Sequence, residues 1–266
     1  MNSASLRGIE MAYDDVGSGP AVVLLHGYPF NRSMWREQVE FLSAEHRVIA
    51  PDLRGLGETS VGEETAATME EMARDVAALL DLLEIRRALI CGLSMGGYVA
   101  LSFYRRFPLR TRALVLANTR AQADTDEARR ARLEQAQAIL RDGMEAIADG
   151  FLAKVLAPAT LAEQPLIVSR VRRMITSTNP RGASAALHGM AARIDHTDFL
   201  PGILAPALII CGSLDKLTPP QDGQLMHREI RGSRLEIIEG AAHLSNIERP
   251  AEFNRALADF IRTLQP

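Results

Sequence analysis

The sequence predicts an α/β fold: a mostly parallel sheet covered by helices on both faces, interrupted late in the chain by a wholly helical stretch. Three observations carry this prediction. Short apolar runs alternate with helical segments over the first 120 residues. From about Ala121 to Leu200 no run reads as a buried strand. The strand–helix alternation then resumes at Ala207. Residues 1–120 and 201–266 therefore form one core, and 121–200 are a helical insertion. The chain has 266 residues, 47% hydrophobic and 24% charged, which is the balance of an ordinary soluble globular protein rather than a collagenous, disordered or disulfide-stapled one.

The elements follow in order. A strand around Glu10–Val16 is closed by the turn Gly17-Ser-Gly-Pro20. Ala21–His26 is a short apolar run of buried-strand type, and Arg47–Pro51 is a second. Thr68-Met-Glu-Glu71 is a capping box that opens a helix through about Leu83, with apolar positions at Met72, Val76, Leu79, Leu80 and Leu83. Ala88–Cys91 and Ala113–Ala117 are further strands. Between them a helix runs from about Met95 to Phe107, stopped by Pro108. Asp124–Glu127 opens a helix that ends near Gly143, and shorter helical stretches follow. After the strand Ala207–Cys211, Thr218-Pro219 offers an N-cap with proline at the first helical position. Leu235–Ile238 is the last strand and Pro250–Leu264 the closing helix.

A net charge of −3, with scattered arginines, gives no electrostatic reason to expect binding to nucleic acid or to an anionic membrane. Apolar runs stay short of the ~20 residues that span a bilayer. Met1–Asp15 lacks a signal-peptide apolar core and carries Glu10, Asp14 and Asp15. Two cysteines make no disulfide framework. Together these features place the chain in the cytoplasm.

Chemistry concentrates at strand ends. Gly92-Leu93-Ser94-Met95-Gly96-Gly97 follows a strand directly and opens a helix. A serine on so tight a turn projects its hydroxyl above the sheet edge, and the next backbone N–H sits at a helix N-terminus, where it can meet an oxyanion. Serine needs a base. Of the six histidines, His243 follows the last strand and precedes the last helix. Asp215, just past the Ala207–Cys211 strand, is an acceptor that could fix the tautomer of His243. In the loop after the Ala21 strand, Gly27 allows close backbone approach and Tyr28 offers an N–H, whereas Pro29 has none to give. His26 reads as a structural loop residue. Asp195-His196-Thr-Asp198 is too sparse a ligand set for a metal, and no dinucleotide fingerprint or P-loop occurs, so neither metal nor cofactor is expected.

Over essentially its full length the chain resembles the α/β-hydrolase superfamily. The resemblance rests on Leu25-His-Gly-Tyr-Pro29, Asp52-Leu-Arg-Gly-Leu-Gly57, Gly92–Gly97, Gly212-Ser-Leu-Asp215, and His243 with Glu248-Arg-Pro250. It implies a central sheet of about eight strands, with residues 121–200 as a helical cap over the active site. It also implies Ser94 as nucleophile, Asp215 as acid and His243 as base, in the family's chain order, with Tyr28 and Met95 supplying oxyanion-hole amides. The Asp52–Gly57 segment becomes a structural loop near the pocket. The family's strand order separates the two cysteine-bearing strands by one strand, ~10 Å at ~4.8 Å per step, so Cys91 and Cys211 are buried thiols. Dehalogenases and epoxide hydrolases carry Asp where this chain has Ser94, and carbon–carbon hydrolases have Asn where it has Leu93.

The resemblance is greatest to small carboxylesterases, enol-lactonases and cofactor-free haloperoxidase-like perhydrolases. It implies a serine hydrolase of small esters or lactones acting through an acyl-serine intermediate. The alternatives are acyl transfer to hydrogen peroxide and a receptor-like binder with little turnover. Pro29 restricts Tyr28 and could turn its carbonyl toward the pocket, where it would accept a hydrogen bond from peroxide. Acyl length and oligomeric state stay open at this level.

Overall fold

The computed structural model describes residues 2–63 and 65–264. Eight strands form one sheet in the order β1-β2-β4-β3-β5-β6-β7-β8. They are β1 (Asn2–Leu6), β2 (Ile9–Val16), β3 (Ala21–Leu25), β4 (Arg47–Pro51), β5 (Ala88–Leu93), β6 (Thr111–Ala117), β7 (Ala207–Gly212) and β8 (Arg234–Ile238). β1 and β2 pair antiparallel, β2 joins β4 antiparallel, and every pairing from β4 through β3 to β8 is parallel. β5 and β7 are buried along their whole length, which is why each reads as an unbroken run without polar alternation.

The helices are α1 (Arg36–Leu42), α2 (Met69–Leu82), α3 (Met95–Arg106), α4 (Asp126–Asp142), α5 (Glu145–Val155), α6 (Pro158–Glu163), α7 (Pro165–Thr176), α8 (Pro180–Ala191), α9 (Pro220–Glu229), α10 (Ser245–Glu248) and α11 (Pro250–Ile261). The Thr68 hydroxyl caps α2 by accepting from the Glu71 N–H at 3.1 Å, and Met72, Val76, Leu79 and Leu80 are buried. α4 to α8 fill the chain between β6 and β7, with α4 against α8 and α5 against α7. Among the described residues no helix is long and apolar enough to cross a membrane.

Three local differences from the sequence reading have physical causes. β1 is an added edge strand. It returns into β2 through Arg7-Gly8, both at positive φ, the backbone that a two-residue hairpin turn demands. α9 starts at Pro220 instead of Pro219, because the Thr218 hydroxyl is engaged by Asp215 at 2.7 Å and does not cap the helix. At α4 the cap is Thr125, accepting from the Ala128 N–H at 3.2 Å. This leaves Asp124 free to pair with arginines from α4 and from the segment after α8. The two cysteines are free and buried on β5 and β7, which flank β6. Burial pushes the Cys91 thiol far up and is the main cause raising Cys211 to about 12.

Candidate active site

Ser94 is the single residue between β5 and α3, at φ 56° and ψ −116°. A non-glycine residue there stores strain of about 1–3 kcal/mol, so its surroundings must over-determine it. They do: its N–H donates to the Ala117 carbonyl at 3.0 Å, and its carbonyl accepts from Gly97 N–H at 2.9 Å and the Thr119 hydroxyl at 2.8 Å. The glycines around it are required by close approach. A Cβ on Gly92 would stand 2.1 Å from the Gly96 carbonyl oxygen, and one on Gly96 only 2.0 Å from that of Leu25. The turn is therefore clamped against the end of β3.

The loop after β3 lies on this turn, since a Cβ on Gly27 would come within 3.3 Å of the Ser94 Cβ. Neither the Tyr28 nor the Met95 backbone N–H has a hydrogen-bond partner among the described residues. Met95 opens α3, so its N–H is one of the free donors of a helix start. His26 is buried and accepts from the Leu53 N–H at 2.9 Å through Nε2, tying this loop to the one after β4. Burial lowers its pKa more than Asp52 nearby can restore. Asp52 and Arg54 also hold that loop together. Asp52 accepts from the backbone N–H of Arg32 and Glu58 at 2.6 and 2.8 Å, and Arg54 grips Asp75 through two bonds of 2.8 and 2.7 Å. Phe30, Met34 and Trp35 are fully buried in the core, with Trp35 against Phe253, and take no part in the cavity wall.

Asp215 and His243 meet at the ends of β7 and β8, with His243 Nδ1 2.8 Å from Asp215 Oδ2. The same oxygen accepts from the Thr218 hydroxyl at 2.7 Å and from Asn118 Nδ2 at 2.9 Å. Asp215 Oδ1 accepts from the N–H of Leu217 and Thr218 at 2.8 and 3.1 Å. Burial alone would raise the Asp215 pKa. The adjacent imidazole and the donors from His243, Asn118 and Thr218 outweigh it and hold the carboxyl well below the usual carboxylate range. Asn118 escaped the sequence reading. It sits one residue past β6 at φ 44°, bonds both Asp215 and the Ala242 carbonyl, and accepts from the Ser245 hydroxyl at 2.5 Å. The only hint was its place after a strand end, a property shared by many loop residues.

Ser94, His243 and Tyr28 line one cavity of about 290 Å³, with Asp215 behind His243. Its opposite side comes from the helical segment: Asp124, Arg132 and Gln135 before and on α4, Phe151 and Lys154 on α5, and Met190 on α8. Glu248, buried, joins that segment to the His243 loop. It accepts from the N–H of Ala157 and Ala242 at 2.7 and 2.8 Å and from the Thr160 hydroxyl at 2.6 Å. Asp195 and His196 are spent locally: Asp195 accepts from the Ala123 and Thr197 N–H, and His196 Nε2 lies 3.4 Å from the Ser102 hydroxyl. Among the described residues no group of three acidic, histidine or cysteine side chains could hold a metal ion.

Comparison with known proteins extends this picture. The family model for the alpha/beta hydrolase fold matches residues 20–250. A thermophilic esterase from Thermogutta terrifontis, solved with malate bound, superposes with a TM-score of 0.95 at 39% identity, covering 99% of this chain and 97% of its own. A 3-oxoadipate enol-lactonase from Acinetobacter baylyi is 32% identical over 90% of this chain and 87% of its own length. A bromoperoxidase from Bacillus anthracis superposes with a TM-score of 0.85 at 27% identity over 96% of each chain. With the sheet order, the strained serine turn and these matches in agreement, the chain belongs to the α/β-hydrolase family and is a hydrolase of that fold.

Proposed function

We propose that this protein is a serine hydrolase of small carboxylic esters or lactones, with Ser94 as nucleophile, His243 as general base and Asp215 as its orienting carboxylate. The observation that carries this reading is the strained Ser94 turn facing the same cavity as a histidine whose Nδ1 is held by a fully hydrogen-bonded carboxylate. That carboxylate fixes the proton on Nδ1, which leaves Nε2 with a lone pair to take the serine proton. Attack on the substrate carbonyl would place negative charge on its oxygen, and the unpartnered N–H groups of Tyr28 and Met95 are the donors offered to it. Collapse expels the alcohol, protonated by His243. Water activated by the same base then releases the acid from Ser94. The helices of residues 121–200 act as a cap that shapes substrate choice, because they supply one wall of the cavity while the reacting groups stand on the sheet.

The likeness to an esterase and an enol-lactonase supports the substrate class. Fluorophosphonate labelling with mapping of the modified peptide is the direct test. Modification at Ser94, together with turnover of aryl esters that His243→Gln abolishes, is the expected result. Labelling elsewhere, or undiminished turnover by a folded His243→Gln protein, refutes the assignment.

A second reading, acyl transfer to hydrogen peroxide, is favoured by the likeness to a bromoperoxidase and by Pro29 following Tyr28. Replacing Pro29 with Leu then lowers the ratio of peracid to acid formed. An unchanged ratio counts against it.

A further inference from the structure

The cavity wall facing Ser94 carries more positive charge than its neighbours cancel. Arg132 and Lys154 line it, Arg120 lines the same cavity from the loop after β6, and Arg193 stands behind. Among the described residues two carboxylates answer these four cations. Asp124 is shared, bonding Arg132 Nε at 2.5 Å and Arg193 Nη1 at 2.8 Å. Asp222 lies 3.1 Å from Arg120. Arg193 also donates to the carbonyls of Met190 and Gln122 and covers the Tyr98 ring at 4.3 Å, with its buried Nε unpartnered. Arg132 Nη2 donates to the other Asp124 oxygen at 3.3 Å, but its Nη1 reaches only the Met190 sulfur, at 3.6 Å, a weak acceptor. Lys154 makes no hydrogen bond or ion pair among the described residues.

Two buried donors at the same cavity are also unmet. The Tyr28 hydroxyl has no partner, although the residue is only 6% exposed. The Arg120 Nε–H is buried and bare, while its Nη2 donates to the Leu217 carbonyl. Dry donors cost free energy, and an apolar acyl chain would leave them dry. A carboxylate supplies acceptors for several at once, and a guanidinium with free N–H groups suits it in charge and in geometry.

We propose that this wall is a carboxylate subsite, with Arg132 and the Tyr28 hydroxyl at its centre and Arg120 and Lys154 as supporting charges, so that the preferred substrates are esters or lactones of acids that carry a second, free carboxylate. The inference rests on the reading of Ser94 as nucleophile and narrows the substrate class for that site.

The test uses two p-nitrophenyl esters of matched shape: the glutarate monoester, and the 5-methylhexanoate, in which an isopropyl group replaces the terminal carboxylate. The wild-type kcat/KM favours the glutarate ester by about tenfold or more. Arg132→Met lowers that preference by about tenfold, Arg132→Lys restores part of it, and added salt weakens it. Lys154→Met, on an exposed position that leaves folding unaffected, lowers the preference by a smaller factor and serves if Arg132→Met does not fold. Equal turnover of the two esters, or a preference that survives both Met variants, overturns the subsite and leaves the hydrolase reading standing. Turnover of neither ester overturns the hydrolase reading and the substrate claim with it.

Discussion

The two walls of the cavity are built in opposite ways. On the sheet side, Ser94, Asp215 and His243 each stand within a few residues of a parallel strand's end; bonds within their own turns help hold Ser94 and Asp215, and Asp215 in turn holds the His243 ring. On the helical side, Arg132 is positioned by Asp124, Asp124 by Arg193, and Arg193 by the ring of Tyr98, so that side chains from four separate segments hold one another. The first wall is placed by strand ends, the rigid support that the proposed reacting atoms require. The second can change charge and shape by substitution without disturbing the first. On the function proposed above, chemistry and substrate choice are thereby separable.

Four experiments test that contrast. Ser94→Ala attacks the sheet wall at its reacting atom and is expected to lower ester kcat by about ten-thousandfold or more while leaving the circular dichroism spectrum unchanged. It also relieves no strain, since alanine meets the same positive φ. Asp215→Asn is next, with an expected loss of about a thousand- to ten-thousandfold in kcat. Both Asp215 oxygens face donors, so an amide NH2 opposes an N–H or O–H whichever way it is turned. Steady-state kinetics on one aryl ester measures both losses, and wild-type rates in either folded variant would dissolve the sheet-side assignment.

Glu248→Gln tests the joint between the walls. It sets an amide NH2 against the Ala157 N–H or the Ala242 N–H and is expected to cost about 2 kcal/mol of stability. Urea denaturation reads this out, and a midpoint equal to wild type would mean that the joint bears no strain. The smallest effect concerns acid stability. Burial, aided by Arg105, lowers His196 from 6.5 to about 4 despite Asp195 beside it. The unfolded chain therefore takes up a proton that the native state resists. The contribution of His196 is fully present above about 6.5 and is lost as pH falls toward 4. His26, lowered for the same reason, acts in the same direction. Thermal melts at pH 7.5, 5.5 and 4.5 should show His196→Gln losing less of its own stability on acidification than wild type does.

The sheet wall was legible because its signals are local. A serine that must sit at positive φ between a strand and a helix calls for small residues two positions to either side, and Gly92 and Gly96 supply them. Asp215 and His243 announce themselves by following apolar strands. The Thr218-Pro219 cap misread the chain because a competing acceptor, Asp215, lay three residues back and took the hydroxyl. Asn118, 97 residues from Asp215, carries no signal that sequence spacing could distinguish from an ordinary loop residue, and Glu248, though part of the Glu248-Arg-Pro250 motif, gives no hint of its bond to Ala157, 91 residues away.

From the order of residues alone follow the strand–helix alternation, the break at 121–200, the strained serine and the strand-end positions of its partners. All of these depend on backbone conformation and hydrophobic period, which neighbours in the chain decide. The charge of the opposite wall depended on how α4 packs against α8. Before that packing, Asp124, Arg132 and Arg193 are three residues of an arginine-rich stretch with every prospect of facing water. Only the folded arrangement makes one carboxylate answer two guanidiniums and leaves the remaining positive charge, with the Tyr28 hydroxyl, turned toward the cavity that Ser94 occupies.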